Sequence, residues 1–149
     1  MAKKTLNFNL KLVILYLVPP VIWAGVIFAF SHRPTDSVSE VVWQDFVVKK
    51  LAHIFEFGVL AALIYRALIE FDIPKRKSAF WAIYLSICYG VTDEVHQMFT
   101  SGRDPKVRDV LFDTIGSVFA IYYIWKLLPP RQKSNKLFSI AYKLIYGNK

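Results

Sequence analysis

The sequence predicts an all-α membrane protein, a bundle of four transmembrane helices with both termini cytoplasmic and a short basic amphipathic segment at the C-terminus. Three observations predict it. Hydrophobic residues make up 55% of the 149 positions and charged residues only 20%, against roughly 45–50% and about 25% in soluble domains. The apolar residues fall into four blocks, each close to the ~20 residues of helix that cross a bilayer core. The basic residues alternate between blocks in a way that sets one orientation. This composition excludes a disordered tail. The length fits one domain covering residues 1–149, and the single cysteine, Cys88, excludes an internal disulfide.

The first block, residues 12–30, is free of charge and contains Pro19 and Pro20. Tandem prolines break a soluble helix, whereas in a membrane bundle neighbouring groups can satisfy the freed carbonyls. Lys3 and Lys4 precede it as in a signal peptide. The apolar stretch is longer than the usual 7–15 residues of such peptides, so it reads as an uncleaved span. The second block, 51–69, carries His53, Glu56 and, near its end, Arg66. The third, 78–98, is apolar to Val91 and then runs into Asp93-Glu94-Val95-His96-Gln97. The fourth, 107–128, holds Asp109 and Asp113 and stops at Pro129-Pro130. In the tail, 131–149, apolar residues recur at helical spacing beside lysines. It reads as a segment on the inner leaflet, with a frayed basic tail as the alternative.

Thirteen of the 19 Lys and Arg residues fall in the N-terminal segment, the connection between blocks two and three, and the C-terminal segment. Positive residues favour the cytoplasm, so these three segments face inward. The net charge of +8 is thereby explained as an orientation signal, and nucleic acid is excluded as a partner. Glu70 and Asp72 are the only two of the 11 acidic residues on that inner side.

With this topology, Glu56, Asp93 and Asp113 all lie roughly 5–10 Å beneath the outer boundary. Within the third block Ser86, Gly90, Asp93 and Gln97 form one helical stripe. In the fourth, Asp109, Asp113, Gly116 and Ala120 do the same. Polar groups above small residues suit faces packed on other helices rather than on lipid. Gly58 and Ala62 lie on the opposite side of the second block from Glu56, and a contact with the first span is expected for them.

Carboxylates inside a membrane are costly and must share protons, pair with cations or bind an ion. Glu56 and Asp113 are the pair expected to share a proton or a cation. His53, Glu56, Asp93 and Asp113 are the candidate catalytic residues, since carboxylates near imidazole can perform acid–base chemistry. Lys50, Glu94, His96, Gln97, Arg103, Arg108 and Asp109 are the candidate ligand-binding residues, with Arg103 and Arg108 placed to clamp a phosphate or lipid headgroup. His53-x-x-Glu56 lacks the spacing of a zinc-protease helix, and no metal site is assigned. A hard divalent cation held by carboxylates is the one cofactor this set of groups is compatible with. There is no Gly-rich phosphate loop, nucleophile elbow or Cys-His pair.

The motifs Lys50-Leu51-Ala52-His53-Ile54-Phe55-Glu56-Phe57 and Asp93-Glu94-Val95-His96-Gln97-Met98-Phe99, followed by Gly102-Arg103-Asp104, Arg108-Asp109, Asp113 and Gly116, resemble the VanZ-like membrane proteins. Ser31 to Pro34 is similar to the family's Ser-x-x-Pro exit from the first span. The resemblance covers roughly residues 10 to 128. Phe57 stands where the family often has Tyr, and His32-Arg33 replace a polar pair. The family's first member is associated with resistance to the lipoglycopeptide teicoplanin. The resemblance therefore implies a multi-pass protein of the bacterial plasma membrane that acts at its outer face. Two functions are expected. One is binding of an envelope lipid or lipid-linked precursor headgroup, lowering susceptibility to teicoplanin-type antibiotics. The other is an intramembrane acid–base enzyme that modifies an envelope lipid. A proton or cation path is weaker, because the inner half of the spans is nearly free of ionisable groups.

Overall fold

The computed structural model describes residues 10–32, 43–100, 106–127 and 144–145. They form four helices, α1 (Leu10–Ser31), α2 (Trp43–Glu70), α3 (Lys75–Gln97) and α4 (Val107–Leu127), with no strand among the described residues. Helix α1 runs through Pro19 and Pro20. Each proline removes one N–H, which leaves the carbonyls of Leu15 and Tyr16 without their intrahelical donors. Helix α2 begins at Trp43, two turns before the expected span, so Lys49 and Lys50 are helical. Its 28 residues extend about 42 Å. The extra turns are what carry Lys50 alongside α4.

The α2–α3 connection is tight for a local reason. Asp72 adopts φ 62°, a left-handed conformation that Asp tolerates better than most residues. The N–H of Ile73 donates to the Leu68 carbonyl and that of Asp72 to Ile69, closing α2 as a Schellman motif. Pro74 then precedes α3, where its missing N–H costs nothing.

Contacts are most extensive between α2 and α4, and α3 packs on both. The close approach is set by small residues. Gly58 faces the carbonyl of Gly116 and the methyl of Ala120, and Gly116 lies directly on the backbone of Ile54. The expected contact of Gly58 with the first span is therefore corrected. Its partner is α4, and Ala62 packs on a cluster of Ala61, Tyr65, Ala79, Ala82, Ile121 and Ile124. Removal of side chains at the crossing lets the two helix backbones approach and pack closely. A second cluster, Ile27, Phe57 and Leu60 with Trp23 and Tyr89, joins α1 to this three-helix unit.

Helix α1 is held more loosely. Its links include the Tyr89 hydroxyl, which donates to the Ala24 carbonyl at 2.6 Å, and the Trp23 indole, which donates to the Glu56 carbonyl at 2.9 Å. Near the other end the Arg66 guanidinium lies 4.7 Å from the Tyr16 ring. The outward faces of all four helices expose large apolar side chains, among them Val21, Ile22, Phe55, Phe80, Leu111 and Phe119. By length and composition, α1 is the one described helix able to cross a membrane. The other three carry ionisable groups near both ends. Of the C-terminal segment, Leu144 and Ile145 are described, and Ile145 packs on the Tyr65 cluster; the remainder of the expected amphipathic segment lies outside the described residues.

Candidate functional site

The polar residues of four helices meet at one end of the bundle. They come from the C-terminal ends of α1 and α3, the N-terminal half of α2 and the first turns of α4. Three connected groups make up the layer.

At its centre, the His53 imidazole donates from Nδ1 to Asp113 Oδ1 at 2.9 Å. Asp113 is only 1% exposed. Gly90 leaves room for it: a Cβ there would come within 3.0 Å of Asp113 Oδ2 and 3.3 Å of the Phe57 ring. The Phe57 ring runs nearly parallel to the imidazole, and Ser117, one turn below, donates to the Asp113 carbonyl at 2.9 Å. Asp113 takes its hydrogen bond from His53, while Glu56 is half-buried on the next turn of α2. A neutral imidazole with Nδ1–H fixed on a buried carboxylate presents Nε2 as its free acceptor.

Toward α1, the Ser31 hydroxyl donates to Asp93 Oδ2 at 2.5 Å. The Gln97 amide donates to Ser31 Oγ at 2.7 Å and to Asp93 Oδ2 at 2.8 Å. Asp93 is 4% exposed and its Oδ1 has no partner. Just above, His32 Nδ1 and His96 Nε2 lie 3.1 Å apart, both against the Phe28 ring. These contacts tie the end of α1 to α3.

Toward α4, the Lys50 ammonium donates to Asp109 Oδ1 at 2.5 Å, with both side chains largely shielded. Phe46 and Phe112 flank the ammonium. Arg108 sits 51% exposed at the rim, 3.9 Å from the same carboxylate and over the Phe46 ring. Glu94 Oε2 accepts the backbone N–H of Lys106 at 2.9 Å, while Oε1 is buried without a partner.

The structure thus brings together Lys50, His53, Asp93, Glu94, Gln97, Asp109 and Asp113, with His96 and Arg108 at the margin. Arg103 lies outside the described residues. Ser31, His32 and Ser117 belong to the same layer and were not among the candidates. Ser31 had one signal, its place at the exit of the first span. A serine after an apolar block shows no partner in sequence, and its partner Asp93 is 62 residues away. The helical stripe Ser86, Gly90, Asp93, Gln97 is buried throughout, as its spacing predicts. Among the described residues no three His, Cys, Asp or Glu side chains converge as metal ligands, so the expected fit to a hard divalent cation finds no ligand set there.

The VanZ/LLP1 family model matches residues 4–128. That range takes in all four helices and every group of the layer. Neither curated proteins nor solved structures give a significant match. By the extent of the family match, the chain belongs to the VanZ/LLP1 family.

Proposed function

We propose that this chain is a four-span protein of the bacterial plasma membrane, with both termini cytoplasmic, whose outer polar layer binds the headgroup of an envelope lipid or lipid-linked precursor. Bound there, it lowers susceptibility to teicoplanin-type lipoglycopeptides. The observation that carries this reading is the convergence of Lys50, His53, Asp93, Asp109 and Asp113 in one shielded layer. Buried ionisable groups between apolar helices are costly and mark binding or reaction sites. Arg108 at the rim supplies a cation for a phosphate, and exposed apolar faces on all four helices suit lipid contact. Membership of the family is consistent with a teicoplanin-resistance-associated protein.

Topology is tested by labelling. With Cys88 replaced, a single cysteine at position 101 is expected to react with an impermeant maleimide on intact cells. A cysteine at position 134 is expected to react only after permeabilisation. The opposite pattern overturns the outer location of the layer, since both rest on the distribution of Lys and Arg.

A second reading, an intramembrane acid–base enzyme, is favoured by the His53–Asp113 pair. An imidazole oriented by a buried carboxylate has the geometry of a general base. Growth at graded doses of a lipoglycopeptide, beside a glycopeptide without a lipid tail, separates the two. The binding reading expects selective protection against the first drug, retained by His53→Gln and reduced by Arg103→Ala with Arg108→Ala. General acid–base groups contribute about 10²–10⁴ in rate. Loss of protection in a well-expressed His53→Gln variant, with chemically altered membrane lipids in the parent, therefore moves the conclusion to the enzyme.

A further inference from the structure

The imidazoles of His32, just past the end of α1, and His96, near the end of α3, meet nitrogen to nitrogen. Nδ1 of the first lies 3.1 Å from Nε2 of the second. The ring centroids are 5.3 Å apart and the planes 27° from parallel. That separation is nearly the N···N distance plus one ring radius at each end, so the two nitrogens point at each other. Their lone pairs do not converge on a third point, as chelation of a metal ion would need. The contact is therefore an N–H···N hydrogen bond. The Phe28 ring lies against both imidazoles, 5.9 Å from His32 and 4.4 Å from His96 between centroids, and holds them in this arrangement.

Whichever imidazole donates, the other must present a bare nitrogen. The neutral pair meets this condition. One added proton meets it too, because an imidazolium then donates to a neutral ring and the bond becomes charge-assisted. A second proton does not. Both facing nitrogens then carry hydrogen, no acceptor remains, and two like charges stand in contact. His32 is exposed and His96 half-buried, so protons from solvent reach the pair. The charged groups packed around this end are Asp93 and Glu94 on α3 and Lys50, His53 and Glu56 on α2. The start of α4 adds Lys106, Arg108, Asp109 and Asp113, and α1 has none from residue 12 to 31. Such groups set where on the pH scale the second proton adds; the head-on geometry sets what it does.

We infer that His32 and His96 form an acid-released latch. It holds the C-terminal end of α1 on α3 while the pair carries at most one added proton, and frees that end when both imidazoles are protonated. Further down, α1 is held by the Trp23 indole on the Glu56 carbonyl and by the Tyr89 hydroxyl on the Ala24 carbonyl. No imidazole takes part in those bonds, so opening is confined to the last two turns. These turns carry Ser31, whose hydroxyl donates to Asp93 Oδ2. Because Ser31 adjoins His32, displacement of the latch draws that hydroxyl off the carboxylate. Acid release thereby uncovers the α1 side of the polar layer, whatever the layer binds.

The test uses the purified full chain in detergent, with Cys88→Ala and spin labels on Phe30→Cys and Val95→Cys, two exposed positions of α1 and α3. Pulsed electron–electron double resonance reads the distance between the labels at about pH 8 and about pH 5, the interval in which imidazole is the side chain that ordinarily changes charge. The parent is expected to give one narrow distance at the alkaline end. At the acid end a longer component is expected to be about tenfold more populated, since a hydrogen bond is exchanged for repulsion. The chain has three histidines, so variants must separate the pair from His53. A glutamine amide both donates and accepts, so in His32→Gln or His96→Gln the remaining imidazole keeps a partner whether or not it is protonated. Both variants are expected to hold the narrow distance at either pH, and its presence at the alkaline end reports that each is folded. Acid opening that persists in either variant overturns the latch, as does a parent distance that is the same under both conditions.

Discussion

Gly116→Ala is expected to produce the largest loss of stability of any single-methyl addition in the bundle. A Cβ at that position would stand 2.8 Å from the Ile54 carbonyl carbon and 2.9 Å from its Cα, with the carbonyl oxygen closer still. All three are backbone atoms of a helix and cannot rotate away. The α2 and α4 axes must separate, which also opens the Gly58–Ala120 contact and strains the His53–Asp113 pair one turn above. Overpacking costs about 1–3 kcal/mol where side chains can adjust, and here they cannot, so the upper end applies. Alanine's better helix propensity returns about 1 kcal/mol, too little to offset it. Gly25→Ala is the control, because no atom lies within 4 Å of its Cβ position. In thermal melts in one detergent, Gly116→Ala should unfold well below the parent and Gly25→Ala at or above it. A Gly116→Ala variant as stable as the parent would show that the helices do not cross this closely.

His53→Ala is expected to destabilise the fold by about 1–3 kcal/mol, the range for leaving a buried acceptor without its hydrogen-bond donor. The reason is what remains. Asp113, 1% exposed, would be left with its hydrogen-bond donor gone. Adding Asp113→Asn removes the carboxylate, so the double variant should recover much of the loss. The pair is read by a double-mutant cycle, in which residues in contact deviate from additivity by about 0.5–3 kcal/mol. The same cycle between Glu56 and Asp113 should give a smaller coupling, since the Asp113 hydrogen bond goes to His53. Additive losses for His53 and Asp113 would remove the pair from the centre of the site.

Helix existence was legible throughout, because apolar blocks near 20 residues and the periodic small-residue stripes are local properties of the chain. The start of α2 was not. Residues 43 to 50 hold Gln44, Asp45, Lys49 and Lys50, which read as a polar connection by composition. They are helical because Phe46 and Lys50 have partners on α4. The shared level of the polar groups was also legible, since helical rise places each ionisable group along the bundle axis.

What composition, spacing and charge distribution determined by themselves is the axial coordinate: which segments are helical, which end of each carries charge, and therefore which residues share a layer. Tertiary structure alone decided who meets whom within that layer. Rise per residue gives depth, but lateral position depends on how four helices rotate and cross. That rotation is set by contacts between residues about 60 positions apart, Gly58 with Gly116 and Ser31 with Asp93. Hence Asp113 could be placed at the level of both Glu56 and His53, and only the packing shows that its Oδ1 meets the imidazole. Gly58 was read as a contact for α1 when its partner is α4. The two bare carboxylate oxygens had no signal in the sequence at all, because an absent hydrogen bond is a property of the packed arrangement.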